Sequence, residues 1–198
     1  MLEILTVCTG NICRSPLAAQ VLATRLGADD VAVRSAGTRA RDGVEMTPEA
    51  AALAAARGVS PALSAAHRSH ALTPADLRGV DLVLAMAREH RREIVELDPA
   101  RVRTTFTARE FARLAADVTD DQVRQAADAA GSDPRERFRA ALSAIAGRRG
   151  LVLPPAHPDD DDVVDPYRRS AATYERSAVE LTPGMDAVVR VVELALSR

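Results

Sequence analysis

Leu2-Glu3-Ile4-Leu5-Thr6-Val7-Cys8-Thr9-Gly10-Asn11-Ile12-Cys13-Arg14-Ser15-Pro16 is the stretch from which the rest of the chain is read. Leu2 to Val7 is apolar and rich in β-formers, which predicts a strand. Cys8 to Arg14 follows as a tight loop, and Gly10 and Asn11 tolerate the positive φ angles of a curl. Ser15-Pro16 predicts a helix start, with Ser as N-cap and Pro in the first helical position. Leu17, Ala18, Val21, Leu22 and Leu26 give that helix an apolar stripe, and Gly27 ends it. A loop curled between a strand and a helix N-terminus points backbone N–H groups inward, where the helix dipole also favours an anion. Arg14 adds a planar fork able to clamp two phosphate oxygens. The residues of such a phosphate-binding loop are Thr9, Gly10, Asn11, Ile12, Cys13 and Arg14.

Outward from this loop, strands and helices alternate. Val31 to Ser35, Asp81 to Met86 and Val102 to Phe106 read as strands. Thr47-Pro48-Glu49 starts an Ala-rich helix that stops at Gly58, Thr73-Pro74 caps a short helical piece, and a charged helix runs from Arg88 to Leu97. The pattern predicts an α/β fold: a doubly wound four-stranded parallel sheet of order 2-1-3-4, with helices on both faces. Ligands of such sheets bind at the carboxyl ends of the strands, beside the first strand, where Cys8 to Arg14 lies. Capping patterns at Thr107, Thr119 and Asp133 predict further helices, the last of them stopping at Gly147. Prolines 154, 155 and 158 mark a loop carrying Asp159 to Asp162. Thr182-Pro183-Gly184 should kink or break the final helix before Met185.

The chain has 198 residues, 28 acidic and 26 basic, for a net charge of −2. That length suits one domain over residues 1–198, and the charge balance argues against a nucleic-acid partner. Every basic residue is Arg, which excludes a lysine Schiff base or a P-loop lysine. No apolar run is long enough to insert in a membrane, and no secretory signal opens the chain, so the expected compartment is the cytoplasm. Two cysteines cannot build a disulfide scaffold or a zinc site, and the four histidines show no metal spacing. No metal and no cofactor is expected.

The inward amides and the helix dipole also favour a thiolate at Cys8, the nucleophilic form of the side chain. The Ser15 hydroxyl can donate to that sulfur and make it a better leaving group in a second step.

Cys8-Thr9-Gly10-Asn11-Ile12-Cys13-Arg14-Ser15-Pro16, directly after an N-terminal strand, resembles the low-molecular-weight protein tyrosine phosphatase family. Ser35-Ala36-Gly37-Thr38, His67-Arg68, Asp81 to Met86 and Asp165-Pro166-Tyr167 stand where that family has similar segments. The resemblance covers Met1 to Leu114 and Asp165 onward, and leaves residues 115–162 as a helical insert with an acidic loop, placed to shape substrate access. It implies a metal-independent, two-step hydrolysis of phosphotyrosine through a phosphocysteine. Cys8 would be the nucleophile, Arg14 the phosphate clamp, Ser15 the thiolate stabiliser, and Asn11 the residue holding the loop's shape. Asp165 would be general acid and then general base, and Tyr167 would line the cleft that receives the substrate ring. Cys13 would be a redox partner that protects Cys8 from overoxidation. The implied partner is a phosphotyrosine protein, a bacterial tyrosine kinase among them, in a bacterial cytoplasm.

Three alternatives stay open. Phosphoarginine hydrolases of similar sequence carry Thr where this chain has Ile12. An arsenate reductase on the same fold would need a low-molecular-weight thiol, because no cysteine follows Cys13. A non-catalytic phosphate-binding module is the third. Arg39 to Val44 contains no aromatic residue to wall the cleft, and Arg168-Arg169 follows Tyr167. The four carboxylates of Asp159 to Asp162 fit no EF-hand spacing and read as a solvated acidic turn.

Overall fold

The computed structural model describes residues 1–27 and 29–197. In chain order its elements are β1 (Leu2–Cys8), α1 (Arg14–Leu26), β2 (Val31–Gly37), α2 (Pro48–Ala55), α3 (Pro61–Ala66), α4 (Pro74–Leu77), β3 (Leu82–Ala85) and α5 (Arg88–Leu97), followed by a 3-10 turn (Pro99–Arg103). Then come β4 (Thr105–Thr107), α6 (Ala108–Ala116), α7 (Asp120–Ala129), α8 (Pro134–Ala146), a second 3-10 turn (Pro158–Asp161) and α9 (Ala171–Leu196). The strands form one parallel sheet of order β2-β1-β3-β4, with Leu2 opposite Val31, Cys8 opposite Gly37, and Ile4 opposite Leu82. This is the doubly wound arrangement expected from the sequence.

Alternation along the strands divides the core in two. Leu2, Ile4, Leu82 and Leu84 point to one face, where they meet α1, α6, α8 and α9. Leu5, Val7, Val83 and Ala85 point to the other, against Leu77, Val80 and Ile94. With both faces covered, β3 is fully buried and reads as a continuous apolar run. No helix among the described residues is long and apolar enough to cross a membrane.

Local chemistry moved three of the expected boundaries. Ser15 is not the N-cap of α1: Cys13 holds that place and Ser15 lies inside the first turn, its hydroxyl turned toward Cys8 and Asn11. The fourth strand begins at Thr105, because Asp98 accepts from the Ala100 N–H and Pro99 sets φ for a 3-10 turn that takes in Val102 and Arg103. Finally, α9 runs unbroken through Pro183. The carbonyl that Pro183 leaves without a partner is that of Val179, which is exposed, so water can serve it, and Pro183 itself is exposed. Gly184 is needed on the buried side, where a Cβ would stand 2.6 Å from the Ala108 carbonyl oxygen of α6.

The helices α7 and α8 belong to the main core. Val123, Ala127, Phe138, Leu142 and Ile145 are buried in it with Phe106 and Phe111, each large side chain contributing about 1.5–3 kcal/mol of transfer free energy. Arg135 and Arg139 each place Nε 2.8 Å from the fully buried carboxylate of Asp81, whose other oxygen accepts from the Glu3 N–H. Arg137 donates to the carbonyls of Ala195 and Ser197 and so caps the C-terminus of α9. The Asp81 contacts lie at the N-terminal ends of β1 and β3, opposite Cys8. The two helices therefore stand away from the phosphate loop, contrary to the expectation that they shape substrate access.

The acidic loop does reach the other end. Asp162 accepts from the Arg88 N–H at the start of α5 and, with Asp159, pairs with the Arg88 guanidinium; Asp161 pairs with Arg113. The expected solvated turn is thus an anchored one. It delivers Val163, whose N–H donates to the Met86 carbonyl, and two residues later Asp165.

Candidate active site

The curl of Cys8 to Arg14 is held from outside. Its carbonyls accept from neighbouring segments: Cys8 from the Thr38 N–H, Thr9 from the Arg39 N–H, Asn11 from the His67 ring and Ile12 from the Thr47 N–H. With the oxygens directed outward, the amides are directed inward. Among the described residues the N–H groups of Gly10, Ile12 and Cys13 donate to no protein group, and that of Asn11 donates to Cys8 Sγ at 3.2 Å. Asn11 makes the curl at φ 53°, a left-handed value that Asn tolerates.

Asn11 is fully buried and bound on every side. Its Nδ2 donates to Ser15 Oγ at 3.0 Å, its Oδ1 accepts from the His70 N–H at 2.9 Å, and its carbonyl lies 2.8 Å from His67 Nε2. Burial lowers the pKa of His67, so the ring stays neutral and donates through Nε2. Gly37 closes the support, because a Cβ there would stand 2.6 Å from the Thr9 oxygen and 2.9 Å from the Asn11 nitrogen. The end of β2 can press on the loop only because this residue has no side chain.

Cys8 and Ser15 meet at 3.0 Å, both buried. Ser15 has one hydroxyl proton and a second acceptor, the Ala36 carbonyl at 3.2 Å. A charged sulfur draws that proton more strongly than a neutral carbonyl does.

Arg14 is buried and points into the same space. Its Nη1 donates to the Val163 carbonyl at 3.1 Å, and its Nη2 lies 3.0 Å from Asp165 Oδ2 and 3.4 Å from Thr9 Oγ1. Its Nε is buried without a protein acceptor. Thr9 is braced in turn by His90 Nε2 at 2.8 Å. Burial first, and then the charge of Arg14, push the His90 pKa down to about 4.

The loop residues Cys8, Thr9, Gly10, Ile12, Cys13 and Arg14 line a cleft of about 350 Å³ together with Arg39, Arg41, Val44, Asp165 and Tyr167. The structure brings Cys8, Arg14, Ser15, Asn11 and Asp165 together, with Tyr167 on the rim and half exposed. Cys13 borders the cleft and is itself buried, 3.5 Å from Thr47 Oγ1 and 3.6 Å from the Tyr174 hydroxyl, and burial raises its pKa. No three side chains among His, Cys, Asp and Glu converge as a metal site among the described residues. Lack of metal spacing gave no role to His67 or His90; His67 stands in a segment the family resemblance covers, whereas nothing local to His90 signals its place under Thr9.

A family model described as low molecular weight phosphotyrosine protein phosphatase matches residues 3–145. The chain belongs to this family. Its members are cysteine-dependent hydrolases, and the family match takes in β1, the loop and most of α8, while Asp165 and Tyr167 lie beyond it. A protein-arginine-phosphatase of Geobacillus stearothermophilus is 39% identical over 109 residues, which cover 55% of this chain and 70% of that one. A probable low molecular weight protein-tyrosine-phosphatase, EpsP, of Ralstonia solanacearum is 35% identical over 122 residues, 62% of this chain and 79% of that one. The solved low molecular weight protein tyrosine phosphatase of T. tengcongensis superposes with a TM-score of 0.63 at 29% identity, covering 96% of this chain and 98% of that one.

Proposed function

We propose that this phosphatase hydrolyses phosphotyrosine in proteins through a phosphocysteine on Cys8, as a cytoplasmic enzyme. The observation that carries the reading is the convergence of Cys8 Sγ, the Asn11 N–H, the Ser15 hydroxyl and the Arg14 fork in one amide-lined bowl. A phosphoryl group seated there accepts from the free N–H groups of Gly10, Ile12 and Cys13 and from Arg14, including the Nε that has no acceptor in the protein.

In the first step the Cys8 thiolate attacks phosphorus, the P–O bond to the tyrosyl oxygen breaks, and Asp165 delivers a proton to that oxygen. In the second step Asp165 takes a proton from a water, the water oxygen bonds to phosphorus, and the P–S bond breaks. Ser15 holds the departing sulfur as an anion. Asp165 suits both steps because it is exposed at the cleft edge and held by an ion pair to a residue that the phosphate itself engages. Cys13 then serves as the redox partner of Cys8, and a bacterial tyrosine kinase is one substrate of the expected kind.

The second reading is phosphoarginine hydrolysis, favoured by the name of the Geobacillus relative. Ile12 argues against it. Its side chain lines the cleft and packs 3.5 Å from where a Gly10 Cβ would stand, and it offers no hydroxyl to a guanidino phosphate. Matched phosphotyrosine and phosphoarginine peptides in one assay test this: the reading requires faster turnover of phosphotyrosine, and faster turnover of phosphoarginine would reverse it.

A further inference from the structure

The rim of the cleft carries positive charge that the protein does not neutralise. Among the described residues the arginines without a carboxylate partner are Arg41, Arg57, Arg78, Arg103, Arg168 and Arg169. Three of these six surround one opening. Arg41 lines the cleft itself. Arg168 holds its guanidinium 5.1 Å from the ring centre of Tyr167, which lines the same cleft. Arg169 lines an adjoining groove that shares Asp165 with the cleft.

The neighbouring carboxylates are already engaged. Glu89 and Glu93 hold Arg39, Glu45 holds Arg68, and Asp42 accepts from the Ala71 N–H. The acidic run that would oppose the rim is tied to Arg88 and Arg113 through Asp159, Asp162 and Asp161. Asp165 is the one carboxylate that lines the cleft, and it sits on Arg14. A molecule of net charge −2 therefore presents an electropositive mouth.

Arg168 carries a second mark. Its φ is 58°, the left-handed conformation that costs an L-residue free energy and that glycine adopts freely. The strained backbone is what sets this guanidinium over Tyr167 at the rim.

We infer that the mouth selects acidic phosphopeptides, with Arg41, Arg168 and Arg169 receiving carboxylates that flank the phosphorylated residue. The inference rests on the phosphatase reading above and narrows its substrate class. Exposed ion pairs are each worth a few-fold and are screened by salt, so the expected preference is about tenfold at low ionic strength.

The test compares kcat/KM for p-nitrophenyl phosphate, a phosphotyrosine peptide with Asp and Glu on both flanks, and the same peptide with Asn and Gln in their place. Wild type should prefer the acidic peptide about tenfold, and about 0.5 M salt should remove most of that preference. In the Arg41→Gln, Arg168→Gln double variant the ratio should approach one, and Arg41→Glu should turn it below the wild-type value. Arg168→Gly should lose preference while its melting temperature holds or rises, because strain is relieved; this separates the effect from misfolding. Equal rates on both peptides in wild type, or an unchanged ratio in the double variant, would overturn the inference while leaving the phosphatase reading intact. No turnover of any of the three substrates would overturn both.

Discussion

Asp165 Oδ2 lies 3.0 Å from Arg14 Nη2, so the acid of the proposed reaction is held by its phosphate clamp. The Asp165 side chain is 55% exposed, and an ion pair in that position is worth only about 0.2–1 kcal/mol. A phosphoryl dianion entering the bowl competes for the same guanidinium and frees the carboxyl beside the leaving oxygen. Replacing Asp165 by Asn should lower kcat/KM, which reports the first step, for a phosphotyrosine peptide by about 10²–10⁴-fold. The loss should be smaller for p-nitrophenyl phosphate, whose leaving group needs little protonation. Inorganic phosphate should inhibit the variant as strongly as wild type or up to about fivefold more strongly, since Arg14 is released. Equal losses of kcat/KM on both substrates would remove Asp165 from the acid role.

Gly37 shows how closely β2 supports the loop. An alanine Cβ would meet the Thr9 oxygen at 2.6 Å and the Asn11 nitrogen at 2.9 Å, both backbone atoms that cannot swing aside. Gly37→Ala should destabilise the protein by about 1–3 kcal/mol and reduce kcat/KM at least about tenfold, because the amides move off the phosphate oxygens. Thermal melts and assays on the same preparation check it; wild-type activity would show that the loop is not braced there.

His90 should imprint a pH dependence on stability. Its folded pKa is about 4, below the ordinary value near 6.5, so between these pH values the unfolded chain binds the extra proton. Stability from the neutral ring is complete above about pH 6.5 and is lost as pH falls through about 4. The stability difference between wild type and His90→Asn, from denaturant unfolding at several pH values, should therefore shrink on acidification. A difference that grows toward pH 4 would contradict the buried neutral imidazole.

The loop was legible in the sequence because its chemistry is local: Cys8, Gly10, Asn11 and Arg14 are close in the chain and each serves the curl directly. The sheet order was legible too, since strands separated by helices leave few parallel topologies. What sequence could not reach is set by distant partners. Ser15 looked like a helix cap until the sulfur of Cys8 and the amide of Asn11 claimed its hydroxyl. Pro183 looked like a helix breaker, yet the carbonyl it orphans faces water. The acidic run looked solvated because Arg88 and Arg113 lie some 50 to 75 positions away. His90 came under Thr9 through an 81-residue separation that no local pattern encodes.

The most direct measurement is a rapid quench of the enzyme with a phosphotyrosine peptide in the presence of a chelator, followed by mass spectrometry of the peptide that contains Cys8. One phosphoryl group should appear on Cys8 and be absent from an inactive Cys8→Ala variant. Turnover by Cys8→Ala at the wild-type rate, or phosphoryl transfer to any other side chain, would contradict the account.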